Sequence, residues 1–377
     1  MSDSGRPEQS LQHKSSAGAY SLAEILSQPD LWKKCIAELQ SGDKTRDILK
    51  RFENCQEWLF IGCGSSYYIA MTAAATWSEL TGMRARAIPA SELLLFPKLA
   101  LNGHAAVAPV LISRSGRTSE VLRAAELLRS RNIATLAISC TSGQALEKLA
   151  TAAIILPADE QSTVMTRSFT SMLLAIQFLA AVASGRMEAV SALTALPAMA
   201  ERLLSKLPSR VSDFVNQNAF SDYVCLGQGP YYGLACESAL KVTEMSCSYG
   251  QVFHTLEFRH GPKSIVNRDT LITFLLSEAN NAAEREVLEE IKELGGTTLV
   301  VSNHADERTR KAADFLFELS IDLPEYLRLL PFVFTGQLVG LYTGLKKRLD
   351  PDNPRNLSRV VELNPEETAS KPQHASI

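Results

Sequence analysis

The chain has 377 residues, 46% hydrophobic and 21% charged, the balance of a soluble globular protein with room for two domains of ordinary size. A formal net charge of −3 lacks the basic surplus that nucleic-acid binders carry, so an anionic ligand would need a local site. Seven singly placed cysteines without a C-x-x-C pair read as reduced thiols rather than a disulfide frame or a zinc site, so no metal or cofactor is expected.

The N-terminus has no apolar signal core, and residues 1–19 read as a polar arm, disordered or draped over the surface. Ser21 is placed as an N-cap with Glu24 completing a capping box, on a helix that turns Leu22, Ile25 and Leu26 inward. Pro29-Asp30 should close it. Helices near Leu31–Gln40 and Thr45–Phe52 complete an N-terminal helical segment, 20–56. From Glu57 the pattern changes to strand, tight turn and helix: Trp58–Ile61, then Gly62-Cys63-Gly64-Ser65-Ser66, then an Ala-rich helix from Tyr67 to Leu80. Arg86–Ala90 leads into a short helix. Ala108–Ile112 reads as a strand ending in Ser113-Arg114-Ser115-Gly116-Arg117-Thr118-Ser119-Glu120, followed by a helix over Val121–Ser130 and strands at Ala134–Ser139 and Ala153–Leu156. A helix over Phe169–Ser184 closes a first domain, 57–185. Its most apolar part, Met172–Ala183, is interrupted by Gln177 and is shorter than the ~20 residues a membrane span needs, so a cytoplasmic protein is expected. Residues 186–217 read as a helical connector interrupted at Pro197 and Pro208, 218–364 as a second domain with a C-terminal tail, and 365–377 as a polar tail.

The second domain repeats the first. Tyr223–Ala235 matches Trp58–Ala70 at an offset of 165, with Gly227/Gly229 standing where Gly62/Gly64 stand, and Thr297–Ser302 echoes Ala134–Ser139 at an offset of 163. Two matches at nearly one offset indicate an internal duplication of a βαβ-type domain. The expected fold is therefore α/β: two tandem, mostly parallel sheets sandwiched by helices, doubly wound and flavodoxin-like.

Function is sought where the copies differ. The first half has hydroxyls after two successive strands, Ser65-Ser66 and Ser113, Ser115, Thr118 and Ser119, whereas the second has Pro230-Tyr231 and Glu278-Ala279-Asn280-Asn281. Such residues are most often plain N-caps, and G-x-G-S-S alone is a weak motif. Two hydroxyl loops at neighbouring strand ends point instead to a cradle for an anion such as phosphate. The second half supplies the stretch from Glu237 to Lys263. Glu237, Lys241 and Glu244 share one helix face, which a solvated face with ion pairs could explain, but Arg259-His260-Gly261-Pro262-Lys263 follows and suggests chemistry.

These segments resemble a known family. The loops G-C-G-S-S and S-R-S-G-R-T-S-E resemble the phosphate-binding loops of the SIS (sugar isomerase) domain. E-S-A-L-K-V-T-E with E-F-R-H-G-P-K, and P-R-N-L-S-R-V-V at 354–361, resemble the active-site stretch and tail of the double-SIS isomerase module of glucosamine-6-phosphate synthase. Within the superfamily, L-G-Q-G-P-Y-Y-G and F-R-H-G-P-K-S-I-V are most similar to the tagatose-6-phosphate ketose/aldose isomerase and galactosamine-6-phosphate deaminase group. The resemblance implies that Ser66, Ser113, Ser115 and Thr118 hold a sugar phosphate, with Gly64 and Ser65 shaping the loop. It implies that Glu244 moves a proton between C1 and C2 and that His260 opens the sugar ring, often across a dimer interface, with Glu237 and Lys241 the neighbouring polar pair. Arg359 falls where the synthase tail has a lysine. An arginine cannot readily form an imine, which leaves electrostatic stabilisation by Arg355 or Arg359.

The chemistry needs no metal: an anchored substrate, a ring-opening acid/base and one base over C1–C2 suffice. The expected activity is isomerisation or deamination of a hexose- or hexosamine-6-phosphate by a homodimer or higher homo-oligomer, with neither nucleic acid nor membrane as a partner. A fructosamine-6-phosphate deglycase and a non-catalytic sugar-phosphate regulator are the alternatives. The chain enters the isomerase-like region almost directly after Met1-Ser2-Asp3, so glutamine-dependent amination is not expected. His254 and His304 read as pocket-edge or surface residues, His13, His104 and His374 as exposed, and Trp32 and Trp58 as core.

Overall fold

The structure is a computed structural model that describes residues 16–101, 106–279 and 281–363. Most of the N-terminal arm, the polar tail, Asn280, His13, His104 and His374 lie outside the described residues.

Short apolar runs, buried on both faces, form the centres of two five-stranded sheets in which all pairings are parallel. The first holds β1 (Glu57–Gly62), β2 (Arg84–Pro89), β3 (Val107–Ile112), β4 (Leu136–Ser139) and β5 (Ala152–Ile155), in the order β2-β1-β3-β4-β5. The second holds β6 (Asp222–Gly227), β7 (Gly250–His254), β8 (Thr270–Leu275), β9 (Thr297–Ser302) and β10 (Phe315–Glu318), in the order β7-β6-β8-β9-β10. The two orders are the same doubly wound sequence, as the duplication predicts. In each, the winding reverses between the first and third strands, where open α/β sheets place their ligands.

The copies agree in detail. β1 feeds the helix Ser65–Thr81 and β6 the helix Pro230–Ser246, both 17 residues long. The glycine before each helix has the same left-handed-side backbone, φ 54 and ψ −128 at Gly64 against φ 54 and ψ −126 at Gly229, which a side chain would strain. Because both halves share it, the glycine pair serves the turn and does not itself mark a ligand.

The two helices pack against each other at the junction of the halves, where Thr72 Oγ1 donates to Pro230 O at 2.9 Å. Helix Phe334–Lys346 covers helix Pro230–Ser246 from the other side. Gly336, Gly340 and Gly344 form a stripe on which a Cβ would stand 2.3 Å from Ser238, 2.5 Å from Lys241 O and 2.2 Å from Met245 O. Only hydrogens fit there, so the backbones meet and helix Pro230–Ser246 is sealed along one side.

Four expectations are corrected. The first helix is Ala19–Leu26 with Gly18 as N-cap, and no capping box forms. Ser21 N and Oγ both donate to Asp352 Oδ1 at 2.7 Å, and Glu24 accepts from Gln161 N at 2.5 Å and Ser162 N at 3.2 Å. These side chains tie the helix to distant loops, so its polar face turns inward and Leu26 is exposed. Pro29 stands in the first turn of helix Gln28–Gln40 rather than closing the preceding one, as proline's missing N–H permits. Helix Met187–Leu204 runs through Pro197, because packing of Leu193, Leu196 and Ala200 outweighs one lost hydrogen bond. Finally β2 and β7, too polar to stand out as apolar runs, are edge strands formed by pairing with β1 and β6. Trp32 and Trp58 are in the core, His304 is exposed, and His254 stacks on Tyr232 with centroids 3.8 Å apart.

Candidate active site

The winding reversal of the first sheet places the loops after β1 and β3 side by side. They line a cleft of about 220 Å³ through Gly64, Ser65, Ser66, Arg114, Ser115 and Thr118. That is below the range of drug-sized pockets and suits a small metabolite. Thr118 stands at the N-cap of helix Ser119–Ser130, yet its hydroxyl caps nothing and lies 3.3 Å from Ser113 Oγ. Ser65 and Ser66 open helix Ser65–Thr81, which has no side-chain cap either. The capping explanation for these hydroxyls therefore fails, and the helix N-termini behind them favour negative charge. Ser113 is different: it is buried outside the cleft lining, and its Oγ accepts from Gly116 N at 3.2 Å, holding the loop closed.

The opposite wall comes from the second half. Leu240 and Glu244, on helix Pro230–Ser246, face the hydroxyls of the first. Behind Glu244, Lys241 and Glu237 are fully buried, which rules out the solvated-face explanation for this stripe. Lys241 Nζ donates to Glu244 Oε2 and to Ser65 Oγ, the latter at 3.4 Å, and lies 3.4 Å from Glu237 Oε1. A cation between two carboxylates cannot neutralise both. Burial, opposed by Lys241 and reinforced by Glu244, pushes Glu237 up to about 8. Burial draws the Lys241 ammonium down, but the carboxylates outweigh it and leave it above its usual value. Near neutral pH the consistent state is a protonated Glu237 beside Lys241, which leaves that cation to Glu244.

The cleft is roofed by the C-terminal segment 357–361, which crosses back onto the first half. Ser119 N donates to Val361 O at 3.2 Å and Leu363 N to Ser119 Oγ at 2.9 Å. Arg359 lines the cleft and pairs with Asp159 at 2.6 Å. Arg355 is exposed and outside the lining. His260 is likewise exposed, following the short 3₁₀ turn Glu257–Arg259, and is not among the residues that line the cleft.

Two contributors escaped the sequence reading. Arg114 is buried: its Nη1 donates to Glu160 Oε2 at 2.9 Å, and its Nη2 to Thr163 O and Arg359 O, each at 3.0 Å. It thus ties the roof to the loop after β5. That loop, through Thr163 and Met165, also lines the cleft. Its signal was present as Gln161-Ser162-Thr163 after a strand, the same hydroxyl pattern used for the other loops. A further depression of about 370 Å³ among the N-terminal helices is lined mainly by apolar side chains such as Leu39, Phe178 and Val182, with no converging acid–base groups.

Known proteins resemble this chain over most of its length. Residues 52–182 match the model of the SIS domain. The chain is 26% identical over 345 residues to glutamine–fructose-6-phosphate aminotransferase (isomerizing) of Methanothermobacter thermautotrophicus, covering 91% of this chain and 57% of the relative. It is 28% identical over 372 residues to the protein of that name from Shewanella oneidensis, covering 91% of this chain and 58% of the relative. The chain thus spans just over half the length of these relatives. Among solved structures, a glucosamine-6-phosphate deaminase from Thermotoga maritima superposes with a TM-score of 0.74 at 27% identity, covering 92% of this chain and all of the other. A tagatose-6-phosphate ketose/aldose isomerase from Escherichia coli superposes with a TM-score of 0.82 at 21% identity, covering 92% and 97%.

Proposed function

We propose, for a chain whose residues 52–182 belong to the SIS domain family, that it isomerises or deaminates a hexose- or hexosamine-6-phosphate. The observation that carries this reading is one cleft shared between the halves, with hydroxyls of the first facing the Glu244 carboxylate of the second.

The phosphate sits among Ser66, Ser115 and Thr118 at the helix N-termini, with Gly64 and Ser65 shaping the turn and Ser113 bracing the second loop. Anchoring the phosphate lays the open-chain sugar along the cleft toward Glu244. The Glu244 carboxylate removes the proton from C2 and returns it at C1. Electrons of the C2–H bond pass through a planar enediol, or an enolamine where C2 carries an amine. With an amine, the same shift yields an imine at C2, and water releases ammonia and leaves the ketose phosphate. Lys241 orients Glu244 through its hydrogen bond, and a protonated Glu237 does not compete for that cation. His260 serves ring opening from the partner subunit of a homodimer, in keeping with its exposure. Arg359 in the roof, with Arg355 further out, supplies positive charge toward the substrate.

The test is a panel of galactosamine-, glucosamine-, tagatose- and fructosamine-6-phosphates assayed for ketose formation and ammonia release. Glu244→Gln should lower kcat on the active substrate by ~10²–10⁴-fold with KM near that of the parent. Turnover that survives this change sinks the reading.

A further inference from the structure

The duplication gives the other half a position equivalent to the first cleft, at the same point of the same fold. Its correspondence with the first can be followed by hydrogen bonds. Ser113 N donates to Ile138 O at 3.0 Å, and Leu276 N, 163 positions on, donates to Val301 O at 2.9 Å. Leu156 N to Ser139 O at 2.8 Å is repeated by Leu319 N to Ser302 O at 3.0 Å. At this register Glu278 stands where Ser115 stands, and at the 165 offset of the helices Tyr231 replaces Ser66.

In the first half those positions are proposed to hold phosphate. In the second they hold a carboxylate of the chain itself. Glu325 Oε1 accepts from Glu278 N at 2.7 Å and from Tyr231 Oη at 3.0 Å. Burial, and then the charge of Glu325, push the Tyr231 phenol well above its usual value, so it remains a donor. The acid–base stripe likewise has no full counterpart in the first half. Thr72 and Thr76 occupy the positions of Glu237 and Lys241, and their hydroxyls bond Pro230 O and Thr72 O at 2.9 Å each. Glu79 retains the position of Glu244, beside Tyr326, but has no lysine behind it.

We propose that Glu325 is a built-in surrogate anion: the second half keeps an ancestral anion cradle, filled by this carboxylate, so each chain binds one sugar phosphate although its fold offers two positions. The inference rests on the reading of the first cradle as an anion site. Charge supports it, because the Glu278 side chain is paired with Arg328 and held by Asn303 at 3.0 Å. Removing Glu325 therefore takes one negative charge from the cradle and leaves room for an anion to replace it.

The experiment counts inorganic phosphate bound per chain by equilibrium dialysis, for the full chain and for Glu325→Gly, each with and without Ser66→Ala plus Ser115→Ala. The expected counts are one for the parent, two for Glu325→Gly, none for the serine variant and one for the combination. Counts that do not rise on Glu325→Gly, while the serine changes still remove one phosphate, overturn the surrogate and leave the first cradle standing. A parent count that the serine changes leave unaltered overturns the first cradle and, with it, the analogy. If Glu325→Gly fails to fold, its refolding yield is measured with phosphate and with chloride at equal ionic strength. Rescue specific to phosphate supports the proposal, and indifference to phosphate overturns it.

Discussion

The buried position of Glu237 makes a prediction about stability that does not depend on knowing the substrate. Its carboxyl is moved by burial from an ordinary 4.5 up to about 8. Below pH 4.5 the folded and unfolded chains both carry this proton, and the residue places no pH-dependent burden on folding. Between pH 4.5 and 8 the unfolded chain releases the proton while the folded chain keeps it. Each pH unit in that window removes on the order of 1 kcal/mol of stability, to a total of several kcal/mol above it. Glu237→Gln keeps the shape and cannot ionise, so it removes this dependence. Urea unfolding of parent and variant, followed by fluorescence of Trp58 and Trp77, should therefore show a gap that moves in the variant's favour from pH 5 to pH 8 and then levels. The amide adds a constant offset, so the slope is the quantity to read. A gap of equal size at pH 5 and pH 8 would refute the retained proton and, with it, the division of charge among Glu237, Lys241 and Glu244.

Other expectations concern the roof, the turn and the partner. Arg114→Gln leaves Glu160 buried without its cation, which should cost ~3–5 kcal/mol in unfolding measurements and expose segment 357–361 to limited proteolysis; unchanged stability would show that the pair is dispensable. Gly64→Ala forces a side chain onto φ 54, ψ −128 and should cost ~1–3 kcal/mol, read from the thermal midpoint. Ser115→Ala with Thr118→Val should raise KM for the 6-phosphate while leaving binding of the free sugar unchanged, and equal weakening of both would argue against the cradle. If His260 acts across a dimer, mixing inactive Glu244→Gln and His260→Asn chains should restore about a quarter of parental activity, since half the dimers are mixed and each has one intact site. No recovery after verified subunit exchange would place His260 outside the shared site.

Much of this was legible in the chain because a duplication reports on itself. The offset between Trp58–Ala70 and Tyr223–Ala235 revealed two copies of one fold, and the strands buried on both faces carry an apolar signal strong enough to read locally. Ser21 and Glu24 misled for the opposite reason: their spacing fits a capping box, but their partners, Asp352 and the 161–162 backbone, are more than 130 positions away. Edge strands β2 and β7 were equally silent, since they exist by pairing rather than by an apolar run of their own. Arg114 was visible in a loop, but its role as a tie depends on Glu160 and the tail carbonyl meeting it in space.

By itself the sequence determined the fold class, the asymmetry between a hydroxyl-bearing half and an acid–base half, and the candidate residues, because periodicity, turn chemistry and repetition are local properties of a chain. Tertiary structure alone decided that the two halves face one cleft, that Glu237 and Lys241 are buried rather than solvated, and that the tail returns over the first half. Burial and charge state depend on which atoms surround a group, and the packing that buries this stripe includes segments more than a hundred residues away, such as Ser65.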